Sequence, residues 1–228
     1  MSPLKLPERL PRETGRDYAL RVLKENIVNL EIAPGSQISE NELSAALGIS
    51  RAPIREALSE LEKVKIVEIQ PQKKTSVLLI DPALVEEARF MRSTLEDAVI
   101  GEVCMQRTEQ DLFRLEENLT LQELAFLSNA LDQVMIKDNE FHRYFFEISR
   151  KPEIYQLMQT LQIHFDRVRN LTLYTIIDRK ILEEHKEIFR CIREQDVENA
   201  RIRLRAHLER VQVDSSVVRK AYPQYFKQ

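Results

Sequence analysis

The stretch that most constrains this chain runs from Ser39 to Val64, where two short helices are separated by a turn of three residues. Ser39 and Glu42, three residues apart, have the spacing of a capping box, in which a hydroxyl and a carboxylate answer each other's backbone N–H groups. The helix they open turns Leu43, Ala46 and Leu47 inward and stops at Gly48, a residue suited to the left-handed backbone that ends helices. Ser50 opens the second helix. Pro53 is tolerated there because the first helical turn has N–H groups with no partner to lose. Behind it Ile54, Ala57, Leu58, Leu61 and Val64 recur at helical spacing and predict one buried stripe.

Flanking segments complete a recognisable unit. Upstream, Leu20, Leu23, Ile27 and Leu30 predict an amphipathic helix from about Arg16, broken by Ala33-Pro34-Gly35. Downstream, Ile66–Gln70 and Thr75–Ile80 read as two strands around the turn Pro71-Gln72-Lys73-Lys74. Helix, helix, turn, helix and hairpin make a winged helix-turn-helix over residues 14–80, with Asp81-Pro82 as the expected linker. Beyond it the spacing predicts helices over 84–107, 109–126, 129–149, 153–175, 179–193 and 197–213, with N-caps at Thr108 and Asp196 and a break at Pro152. Only four glycines punctuate 228 residues rich in Leu, Glu, Arg and Ala. The expected fold is therefore mainly α, with a winged head followed by an all-α bundle over 84–215. The segment from Val217 onward carries no readable pattern.

No window approaches the ~20 apolar residues that span a bilayer, so no membrane role is expected. Cys104 and Cys191 fall in helical apolar patterns far apart and read as buried free thiols, as in a reducing cytoplasm, the expected location. The net charge of -3 argues against a generic polyanion binder. Residues 1–80 hold 12 Lys and Arg against 11 Asp and Glu, and the remainder 22 against 26, so affinity for DNA has to come from local patterning.

That patterning lies on the second helix. Arg51, Arg55, Ser59 and Glu62 occupy the face opposite the buried stripe, so two guanidinium groups project from its N-terminal end, the part of such a helix that enters the major groove. Arg matches the two acceptors of guanine with two donors. Ser50 and the helix N-terminus suit a phosphate, and Lys73 and Lys74 at the hairpin tip suit the DNA backbone. An exposed Arg pair is more often simple solvation. It is the ordered setting of cap, turn glycine, helix and wing that favours DNA.

The string PGSQISENELSAALGISRAPIREALSELEKVKIVEI resembles the winged helix of GntR-type bacterial regulators, most specifically in ISRAPIREAL. The resemblance implies homodimers on short palindromic operators in double-stranded DNA, Arg51 and Arg55 on bases, and Asn41, Ser50 and Lys73 beside the DNA. Lys65 and Lys74 stand where glycines are usual in the family.

Polar groups interrupt three of the later apolar stripes. One runs Leu131, Met135, Asp138, His142, Phe145, Ser149, with Asp138 and His142 one turn apart. His185 lies among Leu182, Ile188, Phe189 and Ile192, and His207 follows Ala200 and Leu204. A lone inward histidine is more often a hydrogen-bonded core residue, but three with one carboxylate suit a divalent metal: zinc first, nickel or manganese as alternatives. Asp138-x3-His142, Glu184-His185 and His207 resemble the metal-binding form of the FadR-type C-terminal (FCD) domain. That resemblance implies a metal held by Asp138, His142, His185 and His207, whose open positions take the carboxylate of a small organic acid. One carboxylate against a divalent ion leaves a positive pocket, which invites an anion. Arg92, in RSTLE, matches an effector-pocket arginine of the family, although its place at the edge of its stripe equally suits a solvated side chain. His164, in the stripe Leu157, Leu161, His164, Val168, Leu171, is a further effector candidate, with plain core histidine the alternative, and Arg167 and Arg169 are pocket candidates after it.

The expected function is sequence-specific transcription regulation, in the sense of a repressor, tuned by a small carboxylate. An enzyme is disfavoured. The residues three before the histidines are Asn139, Leu161, Leu182 and Leu204, so the Glu-x-x-His pairs of di-iron bundles are missing, as is His-Glu-x-x-His. A winged protein-interaction module with a purely structural bundle is the remaining alternative, separable by salt-dependent binding to duplex DNA.

Overall fold

The computed structural model describes the backbone of residues 4–70, 75–176 and 179–228, and their side chains other than 176 and 211–216. The head begins with helix α1 (Gly15–Val28), whose N-cap Thr14 accepts from the Asp17 N–H. Strand β1 (Gln37–Ile38), α2 (Glu40–Leu47), α3 (Arg51–Lys63), β2 (Val67–Glu68) and β3 (Thr75–Val77) follow. The strands form an antiparallel sheet in the order β1-β3-β2, with Gln37 opposite Ser76 and Val67 opposite Val77. The hairpin strands are shorter than the spacing predicts, and β1 was not anticipated. Two residues are too few to show an alternation.

Local chemistry explains these ends. Ser39 accepts from the Glu42 N–H, and Gly48 closes α2 at φ 65°, a backbone open to glycine without a Cβ penalty. Lys65 ends α3 at φ 57°, taking left-handed strain at a position where the family usually has glycine. Ala46, expected inward, is exposed, because this short helix buries only Leu43 and Leu47. The wing-tip residues Lys73 and Lys74 lie outside the described residues.

The bundle comprises α4 (Pro82–Gln106), α5 (Glu109–Leu127), α6 (Leu131–Ile148), α7 (Pro152–Ile176), α8 (Lys180–Glu194) and α9 (Val197–Ala221). Thr108 and Asp111 form a full capping box on α5, and Asp196 caps α9. Asp81-Pro82 is not a spacer. The Asp81 carboxylate accepts from the Ala83 N–H and Pro82 starts α4, so the wing runs straight into the bundle. Helix α9 continues past the expected end at 213, and the chain beyond it returns to the wing, where Phe226 pairs with Ile80.

Phe141, Phe145, Phe146, Ile188 and Leu204 centre the bundle core, and Leu23, Ile27, Leu43, Ile54 and Leu58 centre that of the head. Ile163 of α7, 1% exposed, belongs to the head's core and contributes about 2 kcal/mol to docking. Every residue from Gln162 to Leu173 is buried, while Leu157, expected inward, is 70% exposed. The single apolar stripe predicted for α7 is thus replaced by a segment enclosed on all sides between head and bundle.

Candidate metal centre and nucleic-acid interface

Asp138 and His142 on α6, His185 on α8 and His207 on α9 meet in the bundle, with one ligand atom from each lying within 4.8 Å of the others. All four are buried. Each imidazole is oriented by a partner on its Nδ1. His142 Nδ1–H donates to Glu96 Oε2 (2.6 Å), His185 Nδ1–H to Gln122 Oε1 (2.8 Å) and His207 Nδ1–H to Glu184 Oε2 (2.8 Å). That pattern assigns the Nε2 lone pair of every ring to the interior.

Three lone pairs and a carboxylate oxygen then converge with no proton between them. His185 Nε2 lies 3.3 Å from His207 Nε2 and 3.6 Å from Asp138 Oδ1, and His142 Nε2 is buried without a partner. Such a set is satisfied by a cation, and its three nitrogens and one oxygen fit a divalent transition metal. Burial, aided by the Arg92 charge and opposed by the Asp138 carboxylate, pushes His185 down to about 3 and His207 to about 4, and takes His142 well below its usual range. All three rings are therefore neutral at physiological pH, the form that coordinates. Burial alone would raise the Asp138 carboxyl, but the Arg169 guanidinium outweighs it and holds it well below the carboxylate range.

A pH dependence follows for metal-free protein. Unfolded, these histidines protonate near 6.5, so below that value the unfolded state binds more protons than the folded one. Stability is fully present above pH 6.5 and falls as pH drops towards 4, each group adding a slope that approaches about 1.4 kcal/mol per pH unit. Urea-unfolding midpoints at pH 7, 6 and 5 measure it, and a flat profile would contradict neutral buried rings.

Behind the cage stand Glu96 and Gln122, two residues not among those expected from the sequence. Arg92, 3% exposed, pairs with Glu96 at 2.7 Å, so Arg92, Glu96 and His142 form one chain from α4 to the cage. Glu96 lies one turn beyond Arg92, a spacing that signals an ion pair, and Gln122 interrupts the α5 stripe. Arg92 lines a cavity of about 40 Å³ beside Asp138 and His207, together with Phe165, Arg169 and Arg210. Of the expected effector residues, His164 and Arg167 are absent from that lining. They occupy the seam between head and bundle, where His164 Nε2–H donates to the Val64 carbonyl and Arg167 to that of Leu78.

On the head, Arg51 and Arg55 project from the first turns of α3 and are exposed. Arg51 donates to Asn41 Oδ1 at 3.4 Å, which brings two expected DNA contacts together. Arg55 pairs with Glu40 at 2.7 Å, and Ser50 caps α3 by its backbone only, leaving the hydroxyl outside the cap. The amphipathic pattern of α3 produces this: Ile54, Ala57, Leu58 and Leu61 take the buried face and leave the arginines outside.

Sequence comparison agrees with both halves. The pattern that defines the FCD domain, a metal-binding domain family, matches residues 87–210, and that of "Bacterial regulatory proteins, gntR family" matches 19–77. An HTH-type transcriptional regulator in an unstable DNA locus of Streptomyces ambofaciens is 32% identical over 216 residues, covering 94% of this chain and 90% of that protein. The transcriptional repressor RspR of Escherichia coli is 27% identical over 219 residues, 96% of either chain. Among solved structures, Escherichia coli McbR/YncC superposes with a TM-score of 0.78 at 21% identity, over 92% of this chain and 99% of that one, and so shares the fold. No helix among the described residues is long and apolar enough to cross a membrane. With a GntR winged head on an FCD bundle, the chain belongs to the GntR family of bacterial transcriptional regulators, proteins that bind DNA and are not enzymes.

Proposed function

We propose that this regulator is a homodimeric repressor whose hold on a palindromic operator is set by a small organic acid at a metal in the bundle. The observation that carries the reading is the convergence of three Nε2 lone pairs and the Asp138 carboxylate, each ring fixed from behind. Zinc is the first candidate, with nickel and manganese next. When bound, the metal supplies a positive centre that attracts a carboxylate. Arg92, Arg169 and Arg210 line the cavity that Asp138 and His207 reach, and each is ion-paired to a carboxylate that an incoming acid would have to replace.

The cavity of about 40 Å³ has room for water but not for an acid, so binding requires the surrounding side chains to move. Ligand entry and conformational change then become one event, as coupling to a distant site requires. At the other end, Arg51 and Arg55 read base edges, Asn41 and Ser50 hold the backbone, and Lys73 and Lys74 extend the contact along the wing. Apolar side chains exposed on α4 and α5, among them Phe90, Met105, Phe113 and Leu127, support pairing of two copies. The two recognition helices then meet half-sites about 34 Å apart.

The test is fluorescence anisotropy on an operator duplex recovered by selection from random sequence, with zinc-loaded protein and a panel of small carboxylic acids. At least one acid should weaken binding by about 5- to 150-fold, the usual span of such couplings. Uniform indifference of a zinc-loaded, operator-bound protein to the panel would count against effector control.

A further inference from the structure

We infer that α7 is the joint through which the bundle positions the recognition helix, with His164 and Arg167 as its positioning residues and the Asp138–Arg169 contact as its link to the metal cage. This rests on the proposed metal-dependent reading and supplies its route.

The head-facing side of α7 bonds the ends of three head elements, and Lys24 Nζ of α1 donates to the Gln159 carbonyl at 3.3 Å. His164 Nε2–H donates to the Val64 carbonyl at 2.7 Å, and Val64 is the C-cap of α3. Asn170 Nδ2 donates to the carbonyl of Val28, the last residue of α1, at 2.9 Å, and Arg167 Nη2 to that of Leu78, just past β3, at 2.8 Å. Carbonyls at helix ends have no partner within the helix, so a donor from elsewhere fixes where each helix points. The recognition helix is thus held at its C-terminal end by the bundle while its N-terminal end presents Arg51 and Arg55.

The opposite side of α7 reaches the cage. Two residues along a helix turn through about 200°, so Arg169 points away from Arg167. Arg169 grips Asp138 Oδ2 and also donates to Asp166 Oδ1 and Asn139 Oδ1, both at 2.9 Å. The other oxygen of Asp138 faces His185. One carboxylate is therefore shared between the cage and the joint, and whatever draws it inward changes what Arg169 holds.

The seat is also poised to be left. Arg167 is 1% exposed, its Nε and Nη1 have no partner, and no carboxylate pairs with it among the described residues. A buried cation answered by one carbonyl makes the docked arrangement costly, so modest changes at Arg169 suffice to tip it.

The experiment uses full-length protein, zinc and a selected operator duplex, comparing wild type with His164→Ala, His164→Gln and Arg167→Met. Zinc content and thermal unfolding establish that the variants fold and load. In wild type, zinc should shift operator affinity, and in His164→Ala and Arg167→Met the ratio of affinities with and without zinc should collapse towards one. His164→Gln, which keeps a side-chain donor, should restore it. Without metal, His164→Ala should still lose about fivefold of its preference for operator over random duplex, as expected when a fixing hydrogen bond is removed. Wild-type preference in metal-free His164→Ala, an undiminished zinc ratio in the loaded variants, or a wild type that binds both ligands with no ratio at all would each overturn the joint. A wild type that takes up no zinc overturns the metal reading and the route from the cage. The metal-free comparison then still decides whether His164 positions α3.

Discussion

Replacing His142 and His185 together by alanine should empty the cage of metal and leave a protein that binds operator with no response to organic acids. Two of four ligand atoms disappear, and the remaining Asp138 and His207 offer only one oxygen and one nitrogen. The loss should far exceed that from an orienting residue such as Gln122, whose replacement by alanine costs about 10- to 100-fold in metal affinity. Metal content after dialysis against dilute zinc separates the two levels: near zero for the double variant, reduced but measurable for Gln122→Ala. Circular dichroism has to establish that the double variant folds, because it also leaves Glu96 Oε2 and Gln122 Oε1 without their ring partners. A double variant that retained stoichiometric zinc would eliminate these residues as the site.

Arg51→Ala should abolish preference for the operator while leaving non-specific DNA binding. A bidentate arginine–guanine pair contributes about 1–3 kcal/mol of discrimination, so the preference should fall by about 5- to 150-fold at each half-site. Arg51 is a cleaner probe than Arg55. Arg55 pairs with Glu40, and deleting it would leave a carboxylate facing phosphates. Competition binding at two salt concentrations reads both terms: the steep salt dependence should persist while the gap between operator and random duplex closes. Unchanged discrimination would remove Arg51 from the reading surface.

What the sequence discloses depends on whether a feature is local. The cap at Ser39, the stop at Gly48 and the stripe Ile54, Ala57, Leu58, Leu61 are each set within a few residues, and the fold follows them. The histidines were legible because polar residues interrupt apolar stripes, which burial permits only with partners. Those partners were not. Glu96 and Gln122 become meaningful only once α4 and α5 are known to back α6 and α8. The seam was least visible. His164 reads as a pocket residue because a stripe implies one buried face, whereas the part of α7 from Gln162 to Leu173 is enclosed on every side and holds Arg167 as well. The return of Phe226 to Ile80 spans 146 positions, beyond any local periodicity.

The place of Ile163 in the head's core limits how portable the head is. Cut at the wing and joined to an unrelated sensor, residues 14–80 would bring an apolar socket with nothing to fill it, and the carbonyls of Val28, Val64 and Leu78 would lose their donors. The exchangeable module is therefore the head together with the matching face of α7, two pieces far apart in the gene that recombination or protein engineering must move as one.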